Sequence, residues 1–463
     1  MTLIKSISGI RGTIGNQKGE HLTPEDIVKF TSAYAIWLKR AVSSERHRVV
    51  VGRDARISGK MVHHIVGGTL MAMGIDVIDV GLATTPTVEI AVTEEEADGG
   101  IILTASHNPA EWNALKLLNN KGEFLNQEEG EEILKIADHE TILYEEVHNL
   151  GEETQKHHYL ERHIEKVLEL PEVDQKAIAS AGFRVVVDGI NSVGGMALPG
   201  LLKALGVKEV IEVNCTPDGH FAHNPEPLPE HLTDMRDAVI QHKADLGFVV
   251  DPDVDRLAIV NEDGSMFGEE YTLVSVADYI LQNKPGNTVS NLSSTKALKE
   301  LTEKYGAHYY PAAVGEVNVV EMMKEKEAVI GGEGNGGVIF PALHYGRDAL
   351  VGVALFLSHL ARSGKTCSQL RNTYPRYHIS KNKIQLTPGI DVDHILNKLK
   401  SLYKDFPVND IDGVKILFEN GWVHLRKSNT EPIIRIYSES DDETSARDHA
   451  QRIMRSVEEM TQK

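Results

Sequence analysis

The segment Ile101 to Pro109, Ile-Ile-Leu-Thr-Ala-Ser-His-Asn-Pro, carries one serine hydroxyl out of an apolar strand and into a polar turn. A hydroxyl so placed can serve as a nucleophile or as a phosphoryl carrier, and Ser106 is the candidate. Plain turn chemistry is the commoner fate of a Ser-His pair at a strand end, and His107, as an immediate neighbour, need not point the same way. Asp251-Pro-Asp-Val-Asp-Arg256 sets three carboxylates at alternating positions between the apolar runs 247–250 and 257–260. In an extended turn, residues two apart project to one side, so Asp251, Asp253 and Asp255 are expected to converge on a hard cation, naturally Mg²⁺. Without a cation they would repel one another and raise their own pKa values. Arg256 adds a guanidinium suited to a bidentate phosphate contact, or to pairing with a neighbouring Asp.

Two further segments carry ligand chemistry. Gly331-Gly-Glu-Gly-Asn-Gly-Gly337 follows an apolar run and holds two functional side chains, Glu333 and Asn335, which can bond vicinal hydroxyls while the glycines let a ring approach the backbone. It lacks the Gly-Lys-Ser/Thr ending of a nucleotide P-loop and the context of a dinucleotide fingerprint, and a generic flexible turn is the competing reading. Arg426-Lys-Ser-Asn-Thr-Glu-Pro-Ile-Ile-Arg435 gathers cations, hydroxyls and an amide around a single acid, Glu431. Arg426, Ser428, Asn429, Thr430 and Arg435 together make a phosphate cradle. Arg11, between two glycines in Ser8-Gly-Ile-Arg-Gly12, offers one more anion contact, or is an ordinary loop arginine.

The elements that must position these groups follow from patterning. Apolar strand-like runs alternate with amphipathic stretches, as in 48–52, 59–73 and 75–80, which predicts helices covering mostly parallel sheets. Strand-then-acid recurs at Arg53-Asp54, Asp188 and Asp251, a hint of a repeated unit without a rigid period. After about residue 370 the texture changes: strands are expected at 378–385, 414–418, 422–426 and 433–438, with helices at 392–403 and 446–460. The fold class is therefore α/β, with similar α/β domains over 1–150, 151–255 and 256–370 and a smaller α+β domain over 371–463. Apolar content of 41%, 25% charged residues and no long apolar run fit a soluble protein, and the start of the chain lacks a signal-peptide pattern. Cys215 and Cys367 alone exclude a disulfide framework or an all-cysteine zinc site, which fits a cytoplasmic setting. A net charge of −20 disfavours nucleic acid and anionic membrane as partners.

Taken in order, these segments resemble the α-D-phosphohexomutases, the family of phosphoglucomutase, phosphomannomutase and phosphoglucosamine mutase. Residues 104–109 look like its phosphoserine loop, 251–256 its Mg²⁺ loop, 332–337 its sugar loop and 426–430 its phosphate loop. The resemblance implies four domains around one central cleft, the first three sharing a mixed-sheet fold. It also implies a small-molecule hexose phosphate substrate, Ser106 joining the three Asp residues at Mg²⁺, a hexose 1,6-bisphosphate as intermediate and activator, and a monomer or homodimer. Lys116, in Asn113-Ala-Leu-Lys116, matches the family's general acid/base, its pKa expected to be depressed by nearby cations. His107, Arg256 and Arg11 are supporting catalytic candidates. Ala114 replaces the family's usual glycine, so the loop there is expected to differ in backbone angle.

Many bacterial members have histidine in the segment written here Ala313-Val-Gly-Glu316, and another where this chain has Gly337. The pattern here is similar to archaeal-type members, including phosphoglucosamine mutases. Glu316 can favour an amino sugar by charge, or serve loop structure. Two rival readings are an aspartyl-phosphate phosphatase using Asp251-X-Asp253, which leaves Ser106 and the Arg426 segment without work, and a silent sugar-phosphate binding protein, which leaves the serine, carboxylates and lysine idle.

Overall fold

Residues 2–6, 9–385, 391–427 and 433–461 are described by the computed structural model of the chain. Short runs rich in Val and Ile, which pack well on a pleated surface, form the strands of four sheets, and the amphipathic stretches between them become helices. The first sheet comprises β1 (Ile4–Ser6), β2 (Gly9–Thr13), β3 (Arg48–Arg53), β4 (Asp76–Leu82), β5 (Gly99–Leu103), β6 (Trp112–Leu118) and β7 (Glu153–Gln155), ordered β1-β2-β6-β5-β3-β4-β7. Its helices are α1 (Pro24–Ala41), α2 (Gly59–Ala72), α3 (Thr85–Glu94) and α4 (Gln127–His139). After α5 (Tyr159–Glu169) and α6 (Gln175–Ala181), the second sheet comprises β8 (Arg184–Asp188), β9 (Glu209–Val213), β10 (Leu246–Val250) and β11 (Leu257–Asn261), ordered β11-β10-β8-β9, with helices α7 (Gly194–Ala204) and α8 (Thr233–Gln241). The third comprises β12 (Thr288–Asn291), β13 (Tyr309–Ala312), β14 (Ile330–Glu333) and β15 (Gly337–Ile339), ordered β13-β12-β14-β15. Its helices are α9 (Glu269–Asn283), α10 (Ala297–Lys304), α11 (Glu316–Glu325), α12 (Ala349–Ser363) and α13 (Cys367–Arg371).

The repeat that has no fixed period in sequence is plain in topology. The orders β6-β5-β3-β4, β11-β10-β8-β9 and β15-β14-β12-β13 are the same, three parallel strands flanked by one antiparallel strand, which is the sheet edge in the second and third sheets and pairs onward with β2 in the first. In each, one parallel strand hands its C-terminal end to that antiparallel strand, and the connection bears candidate site residues: Ser106 between β5 and β6, the three Asp residues between β10 and β11, and the glycine loop between β14 and β15. Ligand sites at the C-terminal ends of parallel strands are the expected outcome, because the side chains and backbone groups there are not consumed by the sheet.

Two sheets share one interior. Helix α12 buries every residue from Ala349 to Leu360, and its apolar side chains join the cores of the second and third sheets into one cluster. The first domain packs separately on both faces of its sheet, around Phe30, Leu38 and Leu115 on one side and Val50, Val88 and Ile102 on the other. The last domain is an antiparallel sheet, β16 (His378–Gln385), β17 (Val408–Asn409), β18 (Val414–Phe418), β19 (Gly421–Lys427) and β20 (Ile433–Ser440), ordered β16-β20-β19-β18-β17. Helices α14 (Val392–Leu402) and α15 (Glu443–Thr461) cover it, with Ile384, Leu425, Ile434 and Ile436 turned towards their apolar residues.

Three expected divisions meet structural obstacles. β7 extends the first sheet past residue 150, α13 straddles residue 370, and β11 is hydrogen-bonded to β10, so a cut at 255 runs through a hairpin. No helix among the described residues is long and apolar enough to cross a membrane.

Candidate active site

Ser106 sits just beyond β5 with a φ of 48°, the left-handed region that side-chain-bearing residues seldom occupy. What holds it there is Arg56, whose guanidinium is buried behind the loop. Nη1 donates to the carbonyls of Pro109 at 2.6 Å and Trp112 at 3.0 Å, and Nη2 to those of Asn108 at 2.7 Å and Ser106. Nε donates to Asp54 Oδ2 at 2.9 Å, an oxygen that also accepts Thr104 Oγ1 at 2.7 Å, and Thr104 Oγ1 in turn accepts the Ser106 N–H at 3.0 Å. Strain at one residue is thus offset by a buried network around it.

From that position Ser106 Oγ donates to Asp251 Oδ2 at 2.7 Å, joining the first two domains. Asp251, Asp253 and Asp255 are fully buried, and one oxygen from each lies within 4.8 Å of the others. Their convergence does not come from extended alternation. The chain turns, with Val254 at a φ of 63° and its side chain in the core, so that a buried β-branched residue is forced left-handed. Asp253 Oδ2 accepts Thr85 Oγ1 at 2.6 Å and Lys116 Nζ at 2.7 Å, while Asp255 Oδ2 accepts Arg347 Nη2 at 2.6 Å. Asp253 Oδ1 and Asp255 Oδ1 are buried without a hydrogen-bond partner among the described residues. Buried carboxylate oxygens left over in this way fit a hard divalent cation, whose ligands they would become. Burial, then the neighbouring Asp255 and Asp253, push the Asp251 carboxyl well above the ordinary range. Burial would raise Asp253 too, but the Lys116 ammonium outweighs it and holds that carboxyl low.

Lys116 projects from β6 on the face opposite Leu115 and Leu117, which pack in the core. Ala114 lies in the same strand without left-handed backbone, so the residue usually glycine here needs none of glycine's freedom. The expected depression of Lys116 is reversed: burial lowers its pKa, but Asp253 and Asp255 outweigh burial and raise it. The charges nearest the ammonium are anions. His107 Nδ1 stands 3.4 Å from Ser106 Oγ, and burial, then Arg256 and Arg11, hold the imidazole well below its ordinary pKa. Arg11 on β2 is opposite Ala114, near enough to Asp253 and Arg256 to feel both, and burial lowers it. Among the described residues Arg256 makes loose ion pairs, 3.6 Å to Glu226 and 3.9 Å to Asp255.

Glu333 ends β14. Its Oε1 accepts Asn291 Nδ2 at 2.7 Å and its Oε2 accepts Arg347 Nη1 at 2.7 Å. Burial opposes its ionisation, but Arg347 and Asn291 more than compensate and lower its pKa. Asn335 Oδ1 accepts the Gly337 N–H at 3.2 Å. Glu316, the first residue of α11, has both carboxylate oxygens on Arg347, at 2.8 Å to the backbone N–H and 3.1 Å to Nε. Of the two roles open to it, loop structure is the one its contacts serve.

In the last domain Arg426 on β19 lies directly opposite Arg435 on β20, which lies directly opposite Lys383 on β16. Three cations in one row repel, an arrangement that an anion relieves. The row is on the face away from α14 and α15, and burial lowers the Arg426 pKa, with Asp412 and, more weakly, Glu333 acting against that. Ser428, Asn429 and Thr430 lie outside the described residues.

Models of the phosphoglucomutase/phosphomannomutase α/β/α domains I, II and III and of the C-terminal domain match residues 3–143, 161–264, 268–377 and 387–456. A phosphoglucomutase/phosphomannomutase of Thermococcus kodakarensis is 38% identical, over 97% of both chains. The chain belongs to the phosphoglucomutase/phosphomannomutase family. It is also 32% identical to a phosphoglucosamine/phosphogalactosamine mutase of Sulfurisphaera tokodaii, over 97% of this chain and 98% of that one. A crystal structure of a family member from Burkholderia thailandensis superposes with a TM-score of 0.85 at 26% identity, covering 98% of this chain and 97% of that one. The protein is thus a phosphohexomutase, an isomerase that interconverts hexose 6-phosphate and hexose 1-phosphate.

Several residues that shape this candidate site are not announced by the sequence. Arg56, Thr85, Asn291, Arg347 and Lys383 lie outside the four functional segments and act on them from elsewhere in the chain. One signal was available: Gly346-Arg347-Asp348 precedes an apolar run, and Asp348 indeed caps α12 by accepting the Leu350 and Val351 N–H groups.

Proposed function

We propose that Ser106 carries the phosphoryl group, that Asp251, Asp253 and Asp255 with Ser106 hold Mg²⁺, and that the Arg426 row anchors the phosphate not being transferred. The observation that carries this reading is the bond from Ser106 Oγ to Asp251 Oδ2 at 2.7 Å, because it sets a serine oxygen against a cluster of carboxylates with unused oxygens. When bound there, Mg²⁺ supplies positive charge against the phosphoserine and the group in transit. The phosphoryl group leaves Ser106 Oγ as a new O–P bond forms on the free hydroxyl of a hexose monophosphate. The proton of that hydroxyl passes to the imidazole of His107, which burial keeps neutral 3.4 Å from Ser106 Oγ, and on to the freed serine oxygen, while Lys116, an ammonium on Asp253, stands on the other side as a proton donor. The resulting 1,6-bisphosphate turns over and returns its other phosphoryl group to Ser106. Either end of the sugar then presents its phosphate in turn to Arg426, Ser428, Asn429, Thr430 and Arg435, and the ring hydroxyls to Glu333 and Asn335. Arg11 and Arg256 offset phosphate charge.

The preferred sugar is an amino sugar, a reading supported by the Gly-Glu-Gly-Asn-Gly-Gly loop and by the name of the Sulfurisphaera relative. Glu316 gives it no support, since Arg347 holds both its oxygens. The second reading, glucose or mannose phosphate, is favoured by the name of the Thermococcus relative. Two measurements test the whole. Peptide mass spectrometry of fresh protein should find phosphate on Ser106, and Ser106→Ala should abolish turnover while the fold survives; near-normal turnover by that variant, with bisphosphate supplied, would defeat the serine mechanism. Assays with glucosamine, mannose and glucose phosphates should show the first turned over at least as well as the others, and activity confined to mannose or glucose phosphate would reject the amino sugar.

A further inference from the structure

Arg347 lies where three functional segments meet, and no step of the reaction above uses it. Nη2 donates to Asp255 Oδ2 at 2.6 Å, Nη1 to Glu333 Oε2 at 2.7 Å and Nε to Glu316 Oε2 at 3.1 Å. These carboxylates belong to the β10–β11 turn, the end of β14 and the first turn of α11, so one buried guanidinium spans the second and third domains. Its planar fork supplies a separate nitrogen to each, which the point charge of a lysine does not. The space it occupies is equally specific. A Cβ on Gly337 would fall 2.4 Å from Arg347 Cδ and 3.1 Å from its Cγ, and Gly337 does not have left-handed backbone. Glycine is required at 337 by room, and the room is filled by Arg347.

We infer that Arg347 is a positioning residue that ties the Asp255 turn to Glu333 and so sets the affinity for the hexose ring, and that Gly337 is glycine because any side chain there would evict it. The inference rests on the proposed role of Glu333 at the sugar hydroxyls. If Glu333 is held for the ring by Arg347, displacing the guanidinium from either side must weaken sugar binding in the same way. Residues 337 and 347 should therefore be non-additive, since a clash at 337 has no consequence once the arginine is gone.

The test is calorimetric binding of glucosamine 6-phosphate and mannose 6-phosphate to full-length protein without metal, with melting temperature measured on each variant. Arg347→Lys and Gly337→Ala should each weaken binding about tenfold or more, the effect of a lost charge-assisted hydrogen bond. In an Arg347→Ala background, Gly337→Ala should add less than about twofold. Should Arg347→Ala fail to fold, the inference stands or falls on Arg347→Lys and Gly337→Ala alone. Lower melting temperatures with unchanged affinity would make Arg347 merely structural and overturn the inference, as would additive losses in the double variant. Wild-type protein that binds neither sugar phosphate would overturn the proposed function together with this inference, whereas wild-type binding with unaffected variants would count against Arg347 alone.

Discussion

Arg56→Lys is the sharpest probe of how the serine loop is held. The guanidinium makes five hydrogen bonds, to Asp54 Oδ2 and to the carbonyls of Ser106, Asn108, Pro109 and Trp112. A lysine keeps the charge opposite Asp54 but offers three N–H donors from one point, so at least two of the five bonds are lost where the side chain is wholly buried. At about 1.5 to 3 kcal/mol for each bond to a charged group, the loss is roughly 3 to 6 kcal/mol. For a domain of about 150 residues that is a fall in Tm of roughly 6 to 24 °C. The loop that keeps Ser106 left-handed would relax, and misplacing a reacting oxygen by about 1 Å costs up to about a hundredfold in rate. We expect kcat to fall about tenfold to a hundredfold and KM to stay within about threefold, because the Arg426 row is in another domain. Scanning calorimetry and a coupled mutase assay measure both. An unchanged Tm would mean that the bonds lost contribute nothing net, and an unchanged kcat with a lowered Tm would mean that Ser106 does not depend on this brace.

Asp253→Asn should weaken Mg²⁺ binding by titration calorimetry, and slow turnover, with the fold retained, since the amide keeps the volume and loses the charge; full activity in excess chelator with an emptied site would reject the metal assignment. Arg426→Ala should raise KM more than it lowers kcat, because an anchor held in ground and transition states acts as uniform binding. An unchanged KM for every hexose phosphate tested would place the anchor elsewhere. His344 sits between Glu89, at 3.1 Å, and Asp348, at 3.2 Å; burial would lower its pKa, but those carboxylates hold it up, at about 10. A folded pKa above the unfolded value of 6.5 stabilises fully below pH 6.5 and is lost as pH rises through about 10. Wild-type stability should therefore decline over that window, by up to about 1.4 kcal/mol per pH unit, and His344→Gln should flatten the decline; the same slope in both proteins would show that His344 is not its source.

What the sequence determined by itself was local. Strands in the last domain lie where the apolar alternation puts them, and the functional loops fall at the turns that interrupt apolar runs, because a strand's period and a turn's polar residues are set within a few positions of the chain. Residue types likewise announced a hydroxyl, a carboxylate trio and a cationic cradle. Tertiary structure decided everything that depends on a neighbour distant in sequence. The three similar sheets are alike in strand order and not in spacing, so no period could reveal them. Asp251, Asp253 and Asp255 converge through a left-handed Val254 that the core imposes, where alternation alone would have predicted an extended segment. Lys116 and Glu316 show the same limit most clearly. Their sequence neighbours give no hint that Lys116 lies on Asp253, 137 residues away, or that Glu316 is taken up by Arg347, 31 residues away. A charge takes its pKa and its partner from what lies within a few ångströms in space, and chain order does not encode that distance until the fold has closed.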